Sequence, residues 1–99
     1  MSGKLDYVSR LAVPLQSSVG RVRRAEGWTQ QRLAYAAGVS RQTVVELEGG
    51  GYNPSTVLAL RLALLLGVVV EDLFSLAADD EAAIAMAREG HASMKGVRR

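Results

Sequence analysis

The residues best placed to do chemistry fall in one short stretch, Arg41-Gln42-Thr43-Val44-Val45-Glu46-Leu47-Glu48. At ~100° per residue along a helix, Val44, Leu47 and Glu48 share one face. Gln42, Val45, Glu46 and Gly49 point away from it, and Arg41 lies on the flank near the N-terminus. The outward set matches the edges of DNA bases. Arginine presents a donor fork to guanine O6 and N7, and glutamine pairs with adenine N6 and N7. Val45 suits a thymine methyl group; Glu46 either accepts from cytosine N4 or repels phosphate and so excludes wrong registers. The chemistry is recognition by hydrogen bonds, with Arg41, Gln42, Val45 and Glu46 as candidate base contacts.

Bond-making chemistry finds no support. His91 is the only histidine and there is no cysteine, which excludes a catalytic triad, a two-histidine or thiolate metal site and a disulfide frame. Glu46 and Glu48 are two apart on a helix and diverge, a poor acid/base pair. The run Gly49-Gly50-Gly51 lacks the lysine and the preceding strand of a phosphate loop. No enzyme, cofactor or metal is expected.

The candidate readers must be held by a frame, and the capping residues outline it. Ser17 or Ser18 caps a first helix running to Glu26, with Gly27 ending it and Val19, Val22 and Arg23 on one face. Thr29 caps a second helix, Gln30 to Ala37, with Leu33, Ala34 and Ala37 inward. Gly38 supplies a positive-φ turn. Ser40 caps a third helix through Glu48, with Val44 and Leu47 inward, and the glycine run follows as its C-cap. Ala34 is small where the third helix crosses, and Leu33, Val39, Val44 and Leu47 fill the wedge. This is the pattern of a helix-turn-helix, whose second helix enters a major groove. Pro54 is placed in the first turn of a fourth helix, Ser55 to Leu66, ended by Gly67, and a fifth runs from about Val70 to Leu76.

The expected fold is all-α, a compact five-helix DNA-binding domain over residues 18–76 with flanking tails. Residues 1–17 are read as an N-terminal tail or short helix, with one amphipathic turn at Leu5, Val8 and Leu11 or Ala12 that Pro14 ends. Residues 77–99 are a C-terminal helix or tail. Asp79-Asp80-Glu81 suits a helix N-terminus and an alanine-rich stretch follows to Glu89, but Ile84 and Met86 cannot share a face. Met86 and Met94 are read as tail fillers, and His91 to Arg99 as basic and disordered.

Ninety-nine residues with a formal charge of +2 make one domain, and any nucleic-acid contact must come from locally placed arginines rather than a global field. The apolar stretch Val57 to Val70 is interrupted by Arg61 and Gly67, falls short of the ~18 residues of a membrane span, and no secretory signal is visible. A soluble, cytoplasmic protein that joins the nucleoid through DNA, with no membrane contact, is expected.

Several pieces together carry a family likeness. They are Gly27-Trp28-Thr29-Gln30, Leu33-Ala34, Gly38-Val39-Ser40-Arg41-Gln42-Thr43-Val44, Leu47-Glu48, Asn53-Pro54-Ser55, Ala59-Leu60-Arg61-Leu62-Ala63 and Val70-Glu71-Asp72-Leu73-Phe74. From Val19 to Leu76 the chain resembles the Xre/Cro family of bacterial and phage regulators. The resemblance implies a lambda-repressor-like fold docked on double-stranded DNA. It implies phosphate contacts from Gln30, at a helix N-terminus, and from Thr43, Tyr52 and Asn53; Asn53 has the alternative of capping the turn before Pro54. It also implies that Arg23 and Glu48 form a partly buried salt bridge between the first and third helices, rather than touching DNA.

Val57, Leu64 and Val69 depart from the family pattern, which carries polar residues near these places and often a serine cap at Val69. They are read as an apolar patch for a homodimer on a palindromic operator, against the plainer alternative of a larger core covered by a tail. The functional expectation is a sequence-specific transcriptional regulator, a repressor. The alternative is an antitoxin or other protein-binding module whose tails engage a protein partner and which also regulates its own promoter.

Overall fold

The computed structural model describes residues 15–50 and 52–97. The amphipathic turn read at Leu5, Val8 and Leu11 or Ala12, along with Gly51, Arg98 and Arg99, lies outside the described residues. In chain order the elements are β1 (Gln16–Ser17), α1 (Val19–Ala25), α2 (Gln30–Ala37), α3 (Arg41–Glu48), α4 (Thr56–Leu66), α5 (Val70–Leu73), β2 (Phe74–Ser75) and α6 (Ala78–Val97).

Three helices start on side-chain caps that the sequence places one residue ahead of them. Thr29 accepts the Arg32 amide at 3.0 Å, Ser40 that of Thr43 at 3.1 Å, and Ser55 that of Leu58 at 3.1 Å. Each such cap is worth ~1 kcal/mol. Between α2 and α3, Gly38 stands at φ 77°, a left-handed conformation that costs glycine nothing. Its neighbour Val39 donates back to the Ala34 carbonyl at 3.0 Å, closing the turn. Val19, Leu33, Val44, Leu47, Leu62, Leu66 and Leu73 form the fully enclosed centre of the core, drawn from α1 to α5. Arg61 on α4 donates to the Ala37 carbonyl at 3.4 Å, placing a cation at the negative C-terminal end of α2.

The architecture is helical, with four departures from the sequence expectation. The fifth helix stops at Leu73 rather than Leu76, because Phe74 turns extended (φ −136°, ψ 140°). Phe74–Ser75 instead pairs antiparallel with Gln16–Ser17, and the Ser18 amide donates to the Leu73 carbonyl at 2.7 Å. The segment read as a tail through residue 17 therefore ends in a strand. Pro54 stands ahead of the Ser55 cap, not in the first turn of α4. Finally, α6 runs on through His91 to Val97, where disorder was expected.

Candidate nucleic-acid interface

The interface is built on the packed pair α2 and α3. Ala34 and Ala37 are almost fully buried, and without larger side chains there the helices approach closely over Leu33, Val44 and Leu47. With that face of α3 committed to the core, its opposite face is open. Arg41, Gln42 and Glu46 are exposed, while Val45 is half-buried and so less open than the helical periodicity alone indicates. The candidate base contacts thus sit together along one side of a helix whose N-terminal end is fixed by Ser40.

The candidate phosphate contacts divide into free and engaged side chains. Asn53 is exposed, and the capping of α4 falls to Ser55 rather than to it. Tyr52 is half-buried with its ring against the core. Thr43 is half-buried, and its hydroxyl lies 3.0 Å from the Ser40 hydroxyl. Gln30 uses one amide N–H to donate to Glu48 Oε1 at 3.0 Å. Its second N–H remains at the N-terminus of α2 as the donor a phosphate would need.

Gln30 is one member of a polar cluster that pins α3. Arg23 reaches Glu48 with two donors, Nε to Oε2 and Nη2 to Oε1, the latter at 3.3 Å, and its Nη1 donates to the Trp28 carbonyl at 2.8 Å. One guanidinium thereby ties α1 both to the last turn of α3 and to the loop before α2. Glu48 accepts from α1 and α2 together. Bidentate arginine–carboxylate pairing fixes orientation as well as distance.

Gly20 belongs to the same cluster and has no sequence signal. A Cβ at that position would lie 3.1 Å from Glu48 Oε1 and 3.2 Å from its Cδ. A side chain there would push the carboxylate by a few tenths of an ångström, and this close approach becomes visible once α1 and α3 are placed. The stacking of Arg32 over Trp28, at 5.8 Å from the ring centre, is likewise a product of the folded loop.

Partial burial pushes the Glu48 carboxyl up. The hydrogen bonds from Arg23 and Gln30 and the charges of Arg23 and Arg24 outweigh it, so the net shift is downward from the ordinary 4.5. A carboxyl with a depressed folded pKa stabilises the fold above its unfolded value, and that contribution is lost as pH falls through the folded value. Wild-type thermal stability is therefore expected to decline below about pH 4.5, the ordinary value. Glu48→Gln removes this part of the acid sensitivity while lowering stability at neutral pH. Melting curves of both proteins across that range check it.

The geometry defines a helix-turn-helix with an exposed second helix. The Helix-turn-helix family model matches residues 19–73, more than half of the chain. An uncharacterised HTH-type transcriptional regulator of Methanocaldococcus jannaschii is 49% identical over 53 residues, covering 54% of this chain and 79% of the relative. Another, from Archaeoglobus fulgidus, is 42% identical over 67 residues, covering 68% and 93%. Among solved structures, the restriction-modification controller protein C.AhdI of Aeromonas hydrophila matches with a TM-score of 0.50 and 34% identity, over 54% of this chain and 80% of that one. The clp gene regulator ClgR of Corynebacterium glutamicum matches with a TM-score of 0.52 and 29% identity, over 79% and 78%. The chain belongs to the Cro/C1-type helix-turn-helix family, a family of DNA-binding transcription regulators and not of enzymes. No helix among the described residues is long and apolar enough to cross a membrane.

Proposed function

We propose that this chain is a sequence-specific repressor that binds double-stranded DNA as a homodimer, with α3 in the major groove of each half-site. The observation that carries the reading is the contrast between the two faces of α3. Val44 and Leu47 are fully buried, whereas Arg41, Gln42 and Glu46 are open to a partner. Arg41 and Gln42 read base edges with Val45 and Glu46 beside them, and Gln30, Thr43, Tyr52 and Asn53 register the phosphates on either side. Repression follows from occupancy, since a bound dimer excludes other proteins from the same stretch of promoter. ClgR, named as a clp gene regulator, and C.AhdI, named as a restriction-modification controller protein, support regulation as the role. Such a protein works where the chromosome is, in the cytoplasm.

The dimer surface is the apolar patch of Val57, Leu64 and Val69, exposed at 57%, 84% and 59%. Leu60, also exposed, falls between Val57 and Leu64 on the same side of α4 by helical spacing and joins them. Selection of bound duplexes from a random pool tests the whole reading. The expected result is a two-fold symmetric motif with half-sites about 34 Å apart. Salt-sensitive binding with no enriched motif would overturn it in favour of a protein partner.

Val69 offers a sharper test of the patch. It occupies the N-cap of α5, where Asp72 Oδ2 accepts its amide at 3.2 Å but valine has no oxygen to cap the helix in return. Val69→Ser is expected to raise stability by ~1 kcal/mol through a new cap while weakening self-association. Thermal melting and sedimentation equilibrium on the same sample separate the two effects. A variant that is both more stable and equally dimeric would remove Val69 from the interface.

A further inference from the structure

α6 is a helix without a partner inside the fold. It covers 20 residues, about 30 Å at the α-helical rise, and every described side chain from Glu81 to Gly96 is exposed. Among the described residues it makes no extensive contact with any of the five helices before it. Helical stability in proteins comes mostly from packing of one face rather than from propensity, and Gly90 and Gly96 each weaken this helix by ~1 kcal/mol relative to alanine. The sequence nevertheless writes an interface along it. Ala83, Met86, Ala87, Gly90, Ser93 and Met94 recur every three or four residues and fall on one face; Glu81, Ala85, Arg88, Ala92 and Lys95 fall on the opposite one, and Asp80, Ile84 and His91 border the stripe. Met86 and Met94 are 72% and 61% exposed on that stripe.

We infer that α6 pairs antiparallel with α6 of a second copy of this chain. Two features of the helix choose the occupant and the direction. The first is charge. Asp79, Asp80 and Glu81 open the helix, while Lys95 lies in its last turn and Arg98 and Arg99 follow in the sequence. Antiparallel pairing sets the acidic end of each copy beside the basic end of the other; parallel pairing would set like beside like. The second is size. With the two-fold axis near residue 88, Met86 falls opposite Gly90 of the other copy, a position with no side chain, and Ala83 falls opposite the small Ser93. Small residues at the crossing let the backbones approach, and the methionines fill what remains. Glu89 flanks the stripe and meets its own copy near the axis, a local repulsion that the end charges must exceed. The pairing extends the homodimer proposed above, adding a second contact that shares its two-fold symmetry.

The chain has no cysteine, so introduced pairs report cleanly, and the assay is run on full-length protein without DNA. Ala83→Cys with Ser93→Cys in one chain is expected to form a covalent dimer under mild oxidation, seen by non-reducing electrophoresis. Those two positions lie about 15 Å apart along their own helix, too far to bridge within one copy. Each single variant is expected to stay largely monomeric under the same conditions. Glu89→Gln is expected to tighten dimerisation a few-fold, and Met86→Lys to weaken it roughly tenfold. Efficient cross-linking by the single variants would show parallel pairing. No cross-linking by the double variant, with an unchanged circular dichroism spectrum, would show that α6 does not pair. Either result overturns the inference. Duplex selection with the same variants keeps the two readings apart: a symmetric motif recovered without α6 cross-linking leaves the operator-binding dimer standing and removes only the α6 contact.

Discussion

Arg23→Ala is expected to cost the protein ~3–5 kcal/mol of folding stability, the range for removing one partner of a buried ion pair. The residue is 9% exposed and its charge is fully used, on both oxygens of Glu48 and on the Trp28 carbonyl. Alanine leaves Glu48 near the core with only Gln30 donating to it, and leaves the Trp28 carbonyl without that donor. It also opens a space between α1 and α3. Domains of this size have a total stability of roughly 5–15 kcal/mol, so much of the variant is expected to unfold near 37 °C. A thermal melt measures the loss directly. DNA affinity should fall in proportion to the unfolded fraction and recover on cooling, because no base contact is assigned to Arg23. A variant with wild-type melting and weak binding would instead make Arg23 part of the interface. Arg23→Met combined with Glu48→Leu is expected to regain much of the loss, since apolar replacement of both partners leaves no buried charge unmatched.

The sequence reveals this frame clearly where local chemistry decides structure. Thr29, Ser40 and Gly38 mark the ends of α2 and α3 because a cap and a left-handed turn each demand few residue types. Val19, Val22 and Arg23 lie on one face because helical spacing is rigid. What stayed hidden depends on contacts distant in sequence. The strands Gln16–Ser17 and Phe74–Ser75 are two residues each, too short to show alternation, and they exist because they meet across the whole domain. Phe74 continues a helical pattern in the sequence, yet leaves the helix to pair. Gln30 presents as a free polar residue at a helix start, and its bond to Glu48 is visible only once α2 and α3 are packed. The stripe on α6 is faint in the sequence for another reason. Ile84 and Met86 draw attention as its large apolar residues, but Met86 shares its face with Gly90 and Met94, and the small residues between them carry little hydropathy.

Gln42→Ala is expected to lower affinity for the selected operator by about thirtyfold or more while leaving affinity for unrelated DNA unchanged. A bidentate glutamine–adenine pair discriminates by ~1–3 kcal/mol, and a symmetric dimer loses two of them. The side chain is exposed on α3 and lies outside the Arg23–Gln30–Glu48 cluster, so melting should shift by no more than ~0.5 kcal/mol of stability. Salt dependence separates this loss from a phosphate effect. Glutamine is neutral, so its removal releases no counterion linkage, and the slope of log affinity against log salt should hold. Arg41→Ala supplies the contrast. If Arg41 sits on phosphate, its loss reduces that slope by about one per half-site and weakens all sequences alike. If it grips guanine, specificity at one base position relaxes instead. Measuring both variants at several salt concentrations, on operator and on scrambled duplex, assigns each side chain to base or backbone. Should Gln42→Ala reduce both affinities equally, α3 would be touching DNA without reading it, and specificity would have to come from the shape of the duplex.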